Sequence, residues 1–232
     1  CCLSSLNLEY FDIWKNERLF LTDIAEMLDN VLQYLIDNAP DPIARARFSA
    51  SQERSIGVGA LGFHAYLQRS GIPFEGVMAK VANNRIFKHI REGLNEANLQ
   101  LGSERGEAPD AVGTGFRFSH VMSVAPNASS SIIMGNTSPS IEPYRANAYR
   151  QDTLSGSSLN KNKHLDKLLR SKVTEDELPD LWSSIIANDG SVQHLAILTD
   201  EEKDVYKTAM EIRSEEHTSE LQSHSFISYA VF

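Results

Sequence analysis

Along residues 1–212, short stretches of strand character alternate with longer stretches of helical period. This alternation restricts the chain to α/β architectures, with a parallel sheet or a barrel ahead of a sandwich. Ile24, Met27, Leu28, Val31, Leu32 and Leu35 recur at spacings of three and four. They predict a helix with Thr22 as its cap that runs to Asn38, where Pro40 and Pro42 stop it. Residues 55–60 read as a short strand whose glycines suggest close backbone approach. A helix over 61–69 comes next, stopped at Gly71. A longer one over 77–104 carries Val81, Ile86, Ile90, Leu94 and Leu99 on its apolar side and ends at Gly106. Residues 120–125 read as a buried strand, and 161–171 and 178–188 as helices. Thr199 and Glu202 have capping-box spacing for a last helix, with an amphipathic pattern over 201–212.

Composition narrows the class. The chain has 232 residues, 41% hydrophobic and 23% charged, enough apolar material for a real core. No apolar run reaches the roughly 18 residues a membrane-spanning helix needs. The formal charge of −9 argues against nucleic acid as a partner, because phosphate contacts need clustered Lys and Arg. Only two cysteines are present, so a disulfide scaffold is excluded. No charged segment precedes an apolar stretch at the start, so a secretory signal is not expected and a cytoplasmic location is.

The segment 120–135 carries the most chemical information. A strand ending in Pro126 delivers Asn127, Ala128, Ser129, Ser130 and Ser131 to the start of a short helix. Unpaired amides and a partial positive charge gather at such a helix start, so the turn can cradle an anion. A serine-rich stretch that merely caps the helix is the plainer alternative, and local sequence leaves both open. Cys1 and Cys2 are the second candidate. Adjacent cysteines lie about 3.8 Å apart at Cα, below the usual disulfide range, and a strand sends them to opposite faces. They are either inert buried thiols or include one whose partner lies outside the chain. His64 has no His, Cys or Glu companions at metal-ligand spacing, so it reads as a satisfied core histidine. Gly57, Gly59 and Gly62 match a dinucleotide-binding pattern only loosely, since no acidic residue closes a second strand about 20 positions on.

Both ends are unusual. The chain opens on Cys1 inside strand-like sequence, which leads to the expectation of a truncated reading frame. At the other end the character changes at Arg213. Reverse translation of Arg213–Ser223 and Ile227–Phe232 in one frame resembles two blocks of a widely used short-read sequencing adaptor. Residues 213–232 are therefore read as a non-native, unstructured tail, excluded from fold reasoning, and 1–212 as the domain.

The ordered set Cys1–Leu8, Glu53–Gln68, Ala125–Pro143, Asn147–Tyr149 and Thr153–Gly156 resembles the large (alpha) subunit of class I ribonucleotide reductases, from Cys1 to about Ile212. The resemblance implies a partial ten-stranded α/β barrel, roughly its C-terminal half. It implies reduction of ribonucleoside diphosphates to deoxyribonucleotides by thiyl-radical chemistry, with a cysteine pair as reductant. Cys1 falls at the second cysteine of that redox-active pair. Pro126, Asn127, Ala128, Ser129, Ser130 and Ser131 fall on the segment that binds the substrate's phosphates, with Ala128 where the family often has an acidic residue.

The family's other requirements fall elsewhere. The resemblance implies no metal site and no bound cofactor in this segment. It implies a metal or radical cofactor in a small (beta) subunit, and ATP and deoxynucleotide effectors at sites upstream. Its expected partners are that small subunit, thioredoxin or glutaredoxin, and a second large subunit. The radical cysteine would lie upstream of Cys1, so the chain as written is expected to be inactive. A free-standing phosphate-binding module is the alternative reading.

Overall fold

The computed structural model describes residues 2–153 and 156–212. Cys1 and the expected adaptor tail 213–232 lie outside the described residues. In chain order the elements are β1 (Cys2–Asn7), α1 (Phe11–Trp14), α2 (Phe20–Asn38), α3 (Ala44–Glu53) and β2 (Ile56–Leu61). Then come α4 (Phe63–Arg69), α5 (Val77–Arg105), α6 (Ala128–Ile133), β3 (Ala148–Thr153) and β4 (Gly156–Lys161). The helices α7 (Lys163–Arg170), α8 (Leu178–Ala187) and α9 (Asp200–Val205) complete the described part. The strands form two two-stranded sheets, β1 with β2 and β3 with β4, and no closed barrel arises among the described residues.

Among the described residues two compact units emerge, one from residues 2–60 together with Asn83–Pro126, the other from Leu61–Ala82 and residues 127–212. In the first, β2 is buried along its whole length. The segment after His120 joins it through amides of Ile56 and Val58 that donate to the carbonyls of His120 and Val121 at 3.0 and 2.9 Å. A Cβ on Gly59 would collide with the Ser123 carbonyl oxygen, so this glycine is what lets the two backbones approach. The segment 120–125 is not the buried strand expected from its sequence. It forms a single parallel bridge, Met122 to Val58, and its side chains are half-buried or exposed.

Helix α2 begins at Phe20, with Leu19 at its cap and no side-chain capping bond, so Thr22 lies inside the first turn rather than before it. Its buried face is Leu21, Ala25, Leu28 and Leu32. Met27, Val31 and Leu35, which share the same spacing, are 47%, 53% and 38% exposed. Helix α5 likewise buries Ile86, Ile90 and Leu94 but exposes Val81 and Leu99, with Ala97 and Leu101 taking the inner positions. The last helix starts at Thr199 with the expected capping box but stops at Val205, short of the 201–212 pattern.

The buried face of α2 also contains a carboxylate. Asp29 is almost wholly buried and accepts hydrogen bonds from Arg54, from Arg105 at 2.9 Å and from the Nε of Arg117 at 3.2 Å. Burial pushes this carboxyl up. Hydrogen bonds from Arg54 and Arg105, and the charges of Arg54 and Arg117, outweigh that and hold it below its ordinary value. The cluster ties α2 to Arg54 at the end of α3, to the end of α5, and to the segment at Arg117. Asn98 of α5 reinforces the last tie, exchanging bonds with the Phe118 amide (2.8 Å) and carbonyl (3.1 Å).

Replacing Asp29 by Ala leaves the buried Arg54 and Arg117 without their counter-charge, while Arg105 keeps Glu26. The expected loss is about 3–5 kcal/mol of stability, read from urea unfolding by the fluorescence of Trp14 in the same unit. A loss below about 1 kcal/mol would contradict the keystone role. Because the folded pKa is lowered, the carboxylate's contribution is present above the usual carboxylate range and fades as pH falls toward the folded value.

Candidate functional site

Helix α6 is a short helix whose first turn faces outward. Asn127 at its cap has φ −129° and makes no side-chain capping bond. Its carbonyl accepts from the Ser131 amide at 2.9 Å, the first intrahelical bond. The amides of Ala128, Ser129 and Ser130 therefore precede any intrahelical acceptor, and these three residues are exposed. Pro126, just before, is exposed as well. Ser131 differs from its neighbours. It is only 3% exposed, and its hydroxyl donates to the Ala128 carbonyl at 2.8 Å. Helical rotation carries the third serine to the inner side, so the outward turn offers backbone amides and two serine side chains.

The chain leaving α6 is held at several points within the same unit. Gly135 (φ +86°) and Asn136 (φ +53°) reverse its direction. The Asn136 amide donates to Ile132, and the Thr137 amide to Ser131, each at 3.0 Å. Tyr144 donates its hydroxyl to the Asn136 carbonyl at 3.2 Å, and Tyr149 donates to Asn136 Oδ1 at 2.9 Å. Lys163 reaches the Gly135 carbonyl at 3.2 Å. Ser138 and Ser140 are buried and satisfy the start of α4. The Gly62 amide donates to the Ser138 carbonyl (2.7 Å), Phe63 to that of Ser140 (3.4 Å) and Ala65 to Ser138 Oγ (3.1 Å). Gly62 sits at the α4 cap with φ +81°. The loose glycine pattern is thus absorbed by a close strand approach at Gly59 and a left-handed cap at Gly62.

His64 is a core histidine, as its sequence context suggested. Its Nδ1 accepts the Tyr144 amide at 2.9 Å, which leaves Nε2 protonated and bonded to the Val205 carbonyl. Burial drives its pKa down to about 3, partly offset by the Val205 bond and reinforced by the charge of His164. Nearby, Asn162 donates from its amide to Gln68 (2.8 Å) and Asn147 (2.9 Å), and Asn147 donates to the Tyr206 carbonyl (2.8 Å). The second unit's core packs alongside, built on Leu165, Leu169, Trp182, Ile185 and Val192.

Of the site residues read from sequence, 126–131 are together on one turn by chain contiguity, and Cys1 lies outside the described residues. Cys2 is half-buried on β1. Asn136, Ser138, Ser140, Tyr144 and Tyr149, which hold the turn, were not singled out by the sequence. Among the described residues no group of three or more His, Cys, Asp and Glu is placed to hold a metal ion. No described helix is long and apolar enough to cross a membrane.

With this geometry in hand, the comparisons with known proteins define the class. The model of the ribonucleotide reductase barrel domain matches residues 1–114 and 108–228, and the chain belongs to that family. It is 57% identical over 213 residues to the ribonucleoside-diphosphate reductase large subunit of Invertebrate iridescent virus 3, covering 91% of this chain and 34% of the relative. The large subunit of Invertebrate iridescent virus 6 is 53% identical over 229 residues, covering 97% and 24%. Among solved structures, the class Id ribonucleotide reductase alpha subunit of Actinobacillus ureae aligns with a TM-score of 0.88 at 40% identity, over 99% of this chain and 42% of that one. The α/β fold is thus that of part of a reductase barrel. The chain spans about a third of the length of the first of these relatives and less of the second.

The neutrality of His64 can be tested by pH. An unfolded histidine binds its proton near pH 6.5 and the folded one only near pH 3, so protonation favours unfolding throughout that window. Stability is expected to fall by about 1.4 kcal/mol per pH unit from this group below pH 6.5. In His64→Asn, less stable at pH 7 but without the titration, the gap to the parent should narrow between pH 6.5 and 4.5 in urea melts read at Trp182. A constant gap would show that His64 charges without penalty.

Proposed function

We propose that the chain is the phosphate-binding and reductant-bearing part of a ribonucleoside-diphosphate reductase large subunit. The observation that carries the reading is the outward first turn of α6, with three amides that lack intrahelical acceptors and two exposed serines, in a chain of the reductase barrel family. A diphosphate is dense in acceptor oxygens and negative charge. Amides at a helix start supply fixed donors and a favourable dipole, and small side chains let the phosphate come close. Ala128, Ser129 and Ser130 would supply the donors, Pro126 and Asn127 the approach, and Ser131 the internal tie that keeps the turn in shape.

Cys1 would act as one of two thiols that together give up two electrons and two protons. The substrate's 2′-hydroxyl leaves as water, a C–H bond forms in its place, and the thiols close to a disulfide. The complete enzyme would draw its radical from a small subunit that holds the metal or radical cofactor. It would regain its thiols from thioredoxin or glutaredoxin, pair with a second large subunit, and bind ATP and deoxynucleotide effectors outside this segment. A cytoplasmic location, where thiols are kept reduced, suits such chemistry.

The test is the double variant Ser129→Ala/Ser130→Ala in the complete large subunit, assayed with its small subunit. Hydrogen bonds to a charged group are worth about 1.5–3 kcal/mol each. KM for the ribonucleoside diphosphate should therefore rise at least about tenfold with a smaller change in kcat. An unchanged KM would remove the phosphate assignment.

A further inference from the structure

Helix α6 has six residues, too few to hold its own shape in water. Its first turn must stay open if it is to receive phosphates, so restraint has to come from the other end. That end converges on one residue. Asn136, in the left-handed region at φ +53°, donates its amide to Ile132 of α6 at 3.0 Å. Its carbonyl accepts from Tyr144 at 3.2 Å and its Oδ1 from Tyr149 at 2.9 Å. Asn136 is thus bonded through its amide, its carbonyl and its side chain at once. Asparagine is among the few side chains that take this backbone region readily. Tyr149 belongs to β3, whose register with β4 is fixed from Ala148–Lys161 to Thr153–Gly156, so its hydroxyl is presented from a two-stranded sheet. Burial pushes the Tyr149 phenol up, which keeps it a donor at neutral pH.

We infer that Tyr149 and Asn136 form a positioning pair, in which the Tyr149 hydroxyl, bonded to Asn136 Oδ1, sets the outward turn of α6 for the substrate's phosphates. This rests on the phosphate reading and adds to it the residues that tune affinity without touching substrate. The pair acts on α6 through a chain of bonds: Tyr149 to Asn136, Asn136 to Ile132, and Ile132 along the helix to the amides at its start. Losing the first link leaves those amides in place but less aligned, which weakens substrate binding and leaves the chemical step alone.

The complete large subunit with its small subunit is the system to test. Tyr149→Phe should raise KM for the ribonucleoside diphosphate about fivefold, the value of one ordinary hydrogen bond, with kcat within about twofold. Asn136→Gly keeps the left-handed backbone and removes Oδ1, so it should give the same rise. The double variant should be no worse than either single one. If Ser129→Ala/Ser130→Ala raises KM but neither Tyr149→Phe nor Asn136→Gly does, the positioning pair is wrong and the phosphate reading stands. If none of these variants moves KM, the phosphate reading falls with it. Additive effects in the double variant, or a fall in kcat at constant KM, would also overturn the pairing.

Discussion

Three amides at the start of α4, those of Gly62, Phe63 and Ala65, are satisfied by Ser138 and Ser140, which lie more than seventy positions on in the chain. A buried helix start needs acceptors for its leading N–H groups. Here they come from the segment that leaves α6, so capping one helix anchors the exit of another. With that exit fixed, Asn136 can be gripped by Tyr144 and Tyr149, and α6 can present its own leading amides outward. One helix start is closed by protein and the other left open, and the proposed anion site rests on this contrast between α4 and α6.

The other unit is organised by a charge rather than by amides. Asp29 is almost wholly buried, which is unfavourable for a carboxylate until the three guanidinium groups that bond it are in place. Geometry decides the sign. Its hydrogen bonds outweigh the desolvation, and the carboxyl stays ionised. Such a cluster adds less to stability than its bonds suggest, but it fixes which arginine meets which helix. The register of α2 against the ends of α3 and α5 is therefore set by polar pairing, while Gly93 lets the two helices approach where Leu21 packs.

Much of the fold was legible because periodicity and caps are local signals. Strand β2, helices α4, α7 and α8, the long α5, and the Thr199 capping box stand where sequence puts them, within a residue or two. Faces were harder. Helix α2 carries two apolar stripes, and spacing alone cannot say that Leu28 and Leu32 turn inward while Val31 and Leu35 do not. The hairpin β3–β4 went unseen because Arg150, Gln151 and Asp152 give no apolar alternation. The segment 120–125 was overestimated because a run of Val and Met looks buried whether it meets one neighbour or two. At the site, the position of the turn was readable from Pro126 and the serines. The inward rotation of Ser131 needed the helix, and the grip of Tyr149 on Asn136 spans thirteen positions and depends on a sheet the sequence did not announce.

The central claim is that the open first turn of α6 holds the phosphates of a ribonucleoside diphosphate. The direct measurement is a crystal structure of the complete large subunit with such a nucleotide bound. The account requires phosphate oxygens about 2.7–3.2 Å from the amide nitrogens of Ala128, Ser129 or Ser130, with Asn136 still joined to Tyr149. A nucleotide bound elsewhere in the barrel, with those amides facing only water, would contradict it.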